Sequence, residues 1–168
     1  AVKFAEHIYS EVIEDIPHRH TVFTIPKRLR VFFKYDRKLN SILFRAAWGA
    51  LSQVLGIDER ELAAIFTVQT AGQVLNYHPH LHGLLADGYW KDGVFTRFAE
   101  VDVKAIEDAF AERVLAQLHK RELITDDDVA STSSAEQRRS SLRIIRDLGY
   151  GWGTPSTTKR ASSSSLAT

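Results

Sequence analysis

Cysteine is absent from the 168-residue chain. That removes disulfides, thiolate nucleophiles and every Cys-type zinc site, so any metal has to be held by imidazole, carboxylate or amide groups. Long apolar runs are missing too. Nothing approaches the roughly eighteen consecutive apolar residues that cross a bilayer. No charged start leads through an apolar stretch to a small-residue cleavage site. A cytoplasmic protein with no membrane partner is therefore expected. Ala1 stands where an initiating Met would, and Phe4, Ile8, Val12 and Ile16 already follow a helical stripe, so a missing upstream portion is expected as well. At this length one folded domain is expected, with a single core.

A large excess of either charge is also lacking, the formal net charge being +1. The distribution is uneven, and patches rather than totals decide whether a protein meets nucleic acid. Between Pro17 and Lys38 lie Arg19, Lys27, Arg28, Arg30, Lys34, Arg37 and Lys38 against one acid, Asp36. A solvated face is the plain reading of such a run. Phe32, Phe33 and Tyr35 interleave with it, and stacking beside phosphate neutralisation is how single strands are commonly held. Arg19, Lys27, Arg28, Arg30 and Lys34 are the DNA-binding candidates.

Periodicity divides the chain. His20 to Ile25 is β-branched and aromatic and stops at Pro26, which predicts a strand. Arg37 to Leu55 has helical spacing and ends at Gly56. Strands are expected over Glu61–Thr70 and Tyr77–Leu85, with a short third near Gly93–Phe98 after the Asp92-Gly93 turn signal. Val103 to Leu118 is an amphipathic helix with Asp102 as its cap. The order of elements predicts an α+β fold, a central antiparallel sheet flanked by helices. Composition then shifts at Asp126-Asp127-Asp128 toward a Ser- and Thr-rich segment ending in Ser162 to Ser165. Residues 1–130 are expected to fold and 131–168 to form a low-complexity tail, disordered or frameshifted, with at most a short helix over Ser141–Leu148.

Three of the seven histidines fall at alternate positions in Asn76-Tyr77-His78-Pro79-His80-Leu81-His82-Gly83. On a strand, alternate residues share a face, so His78, His80 and His82 point one way while Leu81 points into the core. Imidazoles on neighbouring same-face positions can reach one divalent ion, each offering one ring nitrogen while its other nitrogen is fixed by an acceptor. A bare His-x-His is more often a structural pair than a ligand pair. Pro79, unable to donate to a ladder, calls for an edge strand or a bulge at His78.

The segment from Asp15 to Arg30, then Val68-Gln69-Thr70-Ala71-Gly72, then Asn76 to His82, three blocks in order, resembles the two-tyrosine HUH transposases of rolling-circle bacterial insertion sequences. The likeness runs from about Phe4 to Val129. It implies an incomplete HUH endonuclease fold, ferredoxin- or RRM-like. It also implies Mg²⁺ or Mn²⁺ on His80 and His82, with Gln69, Gln73 or His78 as a third ligand. The implied substrate is single-stranded DNA at transposon ends, cut by a tyrosine hydroxyl that becomes a 5′-phosphotyrosine and leaves a 3′-OH for strand transfer. The family's Cys-rich region and paired-tyrosine helix have no counterpart here. Of Tyr9, Tyr35, Tyr77, Tyr89 and Tyr150, the first two precede the histidine motif, Tyr77 has the opposite side-chain parity and Tyr89 sits in a turn beside Trp90; Tyr150 lies downstream as the chemistry requires, in a glycine-rich setting rather than the expected helix. The alternative is an inactive remnant that binds single-stranded DNA or metal without cutting.

Overall fold

The computed structural model describes residues 15–71 and 77–132, together with the backbone of 142–145. Strand β1, His18–Thr24, is followed by a 3-10 turn at Lys27–Leu29 and a short helix α1, Arg30–Tyr35. A second 3-10 turn, Arg37–Leu39, leads into α2, Asn40–Leu55. Strands β2, Ala64–Ala71, and β3, Tyr77–Ala86, come next, then the pair β4, Gly88–Lys91, and β5, Val94–Arg97. Helix α3, Val103–His119, helix α4, Asp126–Thr132, and strand β6, Leu142–Ile145, complete the order.

Four strands form one sheet in the order β2-β3-β1-β6, every neighbouring pair antiparallel. This is the α+β architecture that the periodicities predict, with helices against the sheet. The alternation along β3 is the reason one face is covered: Pro79, Leu81, Gly83 and Leu85 are buried, whereas His78, His80, His82 and Leu84 are half-buried. Leu81 and Leu85 join Phe23 of β1 and the apolar stripes of α2 and α3, including Ile42, Leu43, Leu51, Ile106, Phe110 and Leu118, in a single core. Phe23 and Phe110 meet with ring centroids 5.0 Å apart. Burying a large apolar side chain contributes roughly 1.5–3 kcal/mol before ordering costs, so these contacts set which face of the sheet is left open.

Helix limits follow local chemistry. Gly56, at φ 67°, takes the left-handed conformation that closes α2. Asp102 Oδ1 accepts from the Ala105 amide at 2.9 Å and caps α3. The Asp92-Gly93 signal is realised as a hairpin turn with both residues at positive φ.

Several expectations change. The strand expected near Gly93–Phe98 is half of the separate β4–β5 hairpin rather than a member of the main sheet. The strand read from Glu61 begins at Ala64, because the residues before it form a turn that closes with the Glu61 amide on the Asp58 carbonyl. Pro79 lies in a central strand, not at an edge. The β2–β3 register slips by one residue between the Gln69–His80 and Ala71–Tyr77 pairs, so His78 and Pro79 together oppose Thr70. The β1–β3 ladder ends at Thr24–His80. The missing Pro79 N–H therefore falls in a bulge and past the end of the other ladder, where no bond is forfeited.

Two described segments, the end of α4 and Leu142–Ile145, also differ from the readings given to them. Helix α4 runs through Ala130 to the buried Thr132. Leu142–Ile145 is extended and pairs with β1 from His20–Ile145 to Phe23–Leu142, where a short helix was expected. The free edge of β1 offers unpaired backbone groups that an isolated helix could not satisfy, and β-branched Ile144 and Ile145 suit a strand. The helix expected near the start falls on residues 1–14, outside those described.

Candidate metal centre

The open face of the sheet gathers imidazoles. His78, His80 and His82 project from β3 by alternation, as their spacing predicts, and their rings succeed one another at centroid distances of 5.1 and 4.9 Å. A fourth ring joins them from β1. Val22 stands opposite His82 in the register, which puts His20 diagonally across the pair. His20 Nε2 lies 3.0 Å from His82 Nδ1, with the two rings nearly parallel, 5.2 Å apart at 17°. Sequence reasoning did not single out His20. The available signal was a second His-x-His, His18-Arg19-His20, inside a predicted strand.

Hydrogen bonding leaves one nitrogen free on each motif ring. His80 Nδ1 lies 2.7 Å from the His78 carbonyl, an acceptor only, so Nδ1 carries the proton and Nε2 a lone pair. His82 Nδ1 is occupied by His20. Burial holds His82 below the usual imidazole range, with the charges of His80 and His20 acting in the same direction. Burial likewise lowers His78, with Arg30 and His80 contributing. Neutral rings are the form that can ligate.

Gln69 of β2 is exposed and stands opposite His80 in the ladder. His78 Nε2 is buried without a hydrogen-bond partner. No three His, Asp or Glu side chains among the described residues are arranged to hold a metal ion. Gln73 lies outside the described residues. The donor set among the described residues is thus two imidazoles with free nitrogens plus a neighbouring amide, which suits an ion that takes nitrogen and oxygen ligands together.

The basic residues divide. Lys27, Lys34, Arg37 and Lys38 are exposed, and Lys34 Nζ sits 5.7 Å from the ring of Tyr35, itself 80% exposed. Arg30 bonds the Ile25 carbonyl through Nε at 3.3 Å. Arg28 reaches the Asp128 carbonyl and Ser131 hydroxyl at 2.6 and 2.7 Å, holding α4. Arg19 is turned to Asp87 at 2.5 Å, with Arg97 on the other carboxylate oxygen at 2.7 Å. Of the candidate DNA contacts, Arg19 and Arg28 serve internal contacts, as does Arg30 through Nε.

No described tyrosine reaches the histidines by a hydrogen bond or ring contact. The Tyr77 hydroxyl donates to the Phe33 carbonyl at 2.5 Å, and burial raises its pKa against the pull of Arg37. Tyr89 stacks on Phe98. Tyr9 and Tyr150 lie outside the described residues. No described helix is long and apolar enough to cross a membrane.

Residues 64–154 match the model of the Y2_Tnp family, described as "Putative transposase". The match includes His78, His80, His82 and Gln69, and it passes the compositional boundary at Ala130 to take in β6 and Tyr150. The chain is also 34% identical over 93 residues to the transposase for insertion sequence element IS801 of Pseudomonas savastanoi pv. phaseolicola. That likeness covers 52% of this chain and 23% of the relative's length. No solved structure matches the chain. With more than half of its residues matched by the family model, the chain belongs to the Y2_Tnp transposase family.

Proposed function

We propose that this chain is the metal-dependent nuclease portion of a transposase that cuts and transfers single-stranded DNA at the ends of a mobile element. The observation that supports it most is the pair His80 and His82 on an open sheet face, each with Nδ1 engaged and Nε2 free. These two hold the divalent ion, Mg²⁺ or Mn²⁺, and Gln69 supplies the third donor. Gln69 is preferred over His78 because Arg30, close enough to depress His78, opposes a cation at that ring. When bound, the ion supplies Lewis-acid polarisation of the scissile phosphate. Lys27 and Lys34 neutralise flanking phosphates, and exposed Tyr35 offers a ring for a base.

A tyrosine oxygen attacks the phosphorus, so that a tyrosine O–P bond forms as the P–O3′ bond breaks. The phenolic proton is lost and the departing 3′ oxygen gains one. The phosphate ester is conserved on the protein and can be returned to a 3′-OH without an energy source. Tyr150, within the family match, is the proposed nucleophile.

One observation favours a second reading, a remnant that binds metal and single strands without cutting: no described tyrosine contacts the histidines. Incubation with Mn²⁺ and labelled single strands carrying the element's ends, followed by a denaturing gel, separates the two. A covalent adduct lost in Tyr150→Phe supports cleavage by Tyr150. An adduct that survives Tyr150→Phe assigns the step to another tyrosine. Metal binding that disappears in a His80→Ala, His82→Ala double variant, with no adduct in the parent, selects the remnant. A parent chain that binds neither Mn²⁺ nor single strands defeats both.

A further inference from the structure

We infer that His20 is a positioning residue, accepting the Nδ1 proton of His82 on its own Nε2 and thereby keeping the His82 Nε2 lone pair directed at a divalent cation. This rests on the reading that His80 and His82 hold that cation. The 3.0 Å separation of the two nitrogens and the near-parallel rings place one shared proton between them. Only one direction of that bond is compatible with ligation. If His20 Nε2 donated, His82 would accept on Nδ1 and carry its hydrogen on Nε2, leaving no lone pair for the ion. If His82 Nδ1 donates, Nε2 is free and the ring plane is fixed from behind, the usual arrangement for a metal-binding imidazole.

Structure alone gives the two ligands different supports. His80 is oriented by a main-chain carbonyl, that of His78, which no substitution removes. His82 is oriented by a side chain on another strand, diagonal in the register. The pair is therefore separable by mutation. His20 itself is not disposed as a third ligand: the nitrogen facing His82 is already engaged, and no three such side chains among the described residues can share an ion.

The experiment is a Mn²⁺ titration of the full chain, followed by electron paramagnetic resonance, for the parent, His20→Ala, His20→Gln and His80→Ala, with circular dichroism to confirm folding. In parallel, ring ¹⁵N shifts of the metal-free protein report the His82 tautomer. His20→Ala is expected to weaken Mn²⁺ binding by about 10- to 100-fold and to move His82 from the Nδ1–H toward the Nε2–H form. His20→Gln, whose amide oxygen can accept the same proton, should restore most of the affinity and the tautomer. Unchanged affinity in folded His20→Ala beside a loss in His80→Ala would overturn the role of His20 and leave the metal site standing. A parent chain that binds no Mn²⁺ removes the metal reading itself. Loss in His20→Gln as complete as in His80→Ala would make His20 a ligand instead. Should His20→Ala not fold, His20→Gln decides alone, near-parent affinity with the Nδ1–H tautomer supporting the role and a 10-fold or greater loss (about 1.4 kcal/mol) overturning it.

Discussion

Two arginines share the Asp87 carboxylate, but they do so under different solvation. The Arg19 and Asp87 side chains are 12% and 6% exposed, whereas Arg97 is 61% exposed. Removing the carboxylate strands a guanidinium that water reaches poorly, so Asp87→Ala should destabilise by about 3–5 kcal/mol. Arg97→Ala should cost under about 1 kcal/mol, since an exposed pair is screened. Urea denaturation of the two variants measures the contrast, and equal losses would show that Arg19 finds another partner. Nearby, Gly83 follows the motif histidine and faces the core. A Cβ there would overlap the Thr21 hydroxyl and the Phe66 ring, so Gly83→Ala should cost about 1–3 kcal/mol through overpacking. A smaller loss would mean that Phe66 swings away freely.

At the scale of elements, α4 carries a reciprocal cap. The Thr125 amide and hydroxyl bond Asp128 Oδ2 at 3.0 and 2.9 Å, and the Asp128 amide returns a bond to Thr125 Oγ1 at 3.3 Å. These bonds, the backbone one foremost, hold the Asp128 carboxyl below its ordinary value. A carboxyl with a lower pKa folded than unfolded stabilises fully above the unfolded value, and that contribution is lost as pH falls through the folded one. The stability gap between the parent and Asp128→Asn should thus be open at neutral pH and close in acid; a gap constant with pH would refute the assignment. Strand β6 makes a second claim at this scale. A chain ending at Thr132 exposes the β1 edge and should show a lower urea midpoint and a tendency to associate, whereas an inert tail would leave both unchanged. These two elements were the least legible ones. The β1, β2 and β3 strands and the long helices announce themselves by period, because their burial is one-sided. Asp126-Asp127-Asp128 reads as a compositional break unless Thr125 is paired with Asp128 as a cap. Leu142–Ile145 is too short to outweigh the Ser-rich sequence around it, its place being decided by an edge far away in the chain. The histidine face was half legible for the same reason: spacing within β3 is local, but the approach of His20 depends on a register between strands.

At the scale of the molecule, the candidate ligands and the exposed charge near β1 are laid out separately among the described residues. The candidate ligands sit on the open sheet face, and the exposed cations Lys27, Lys34, Arg37 and Lys38 cluster along the turns and short helix that follow β1. Arg19 and Arg28 are consumed by Asp87 and by α4, so fewer residues are left for phosphate than the sequence count indicates. On the proposed function, this separation would make single-strand affinity and metal affinity independently adjustable. For binding that releases counterions, log affinity falls with log salt in proportion to the phosphates neutralised, by about 0.7 per contact on single strands. Lys27→Gln with Lys34→Gln should therefore flatten the slope by about 1.4, measured by fluorescence anisotropy of a labelled single strand across a salt series. Arg19→Gln should leave the slope unchanged, because its guanidinium already faces a carboxylate. A His80→Ala, His82→Ala double variant should leave it unchanged as well, since on the proposed reading these rings face the metal ion and not the flanking phosphates. If the slope falls with Arg19 and not with the two lysines, the strand follows the opposite side of the sheet, and the turns after β1 are only a solvated face.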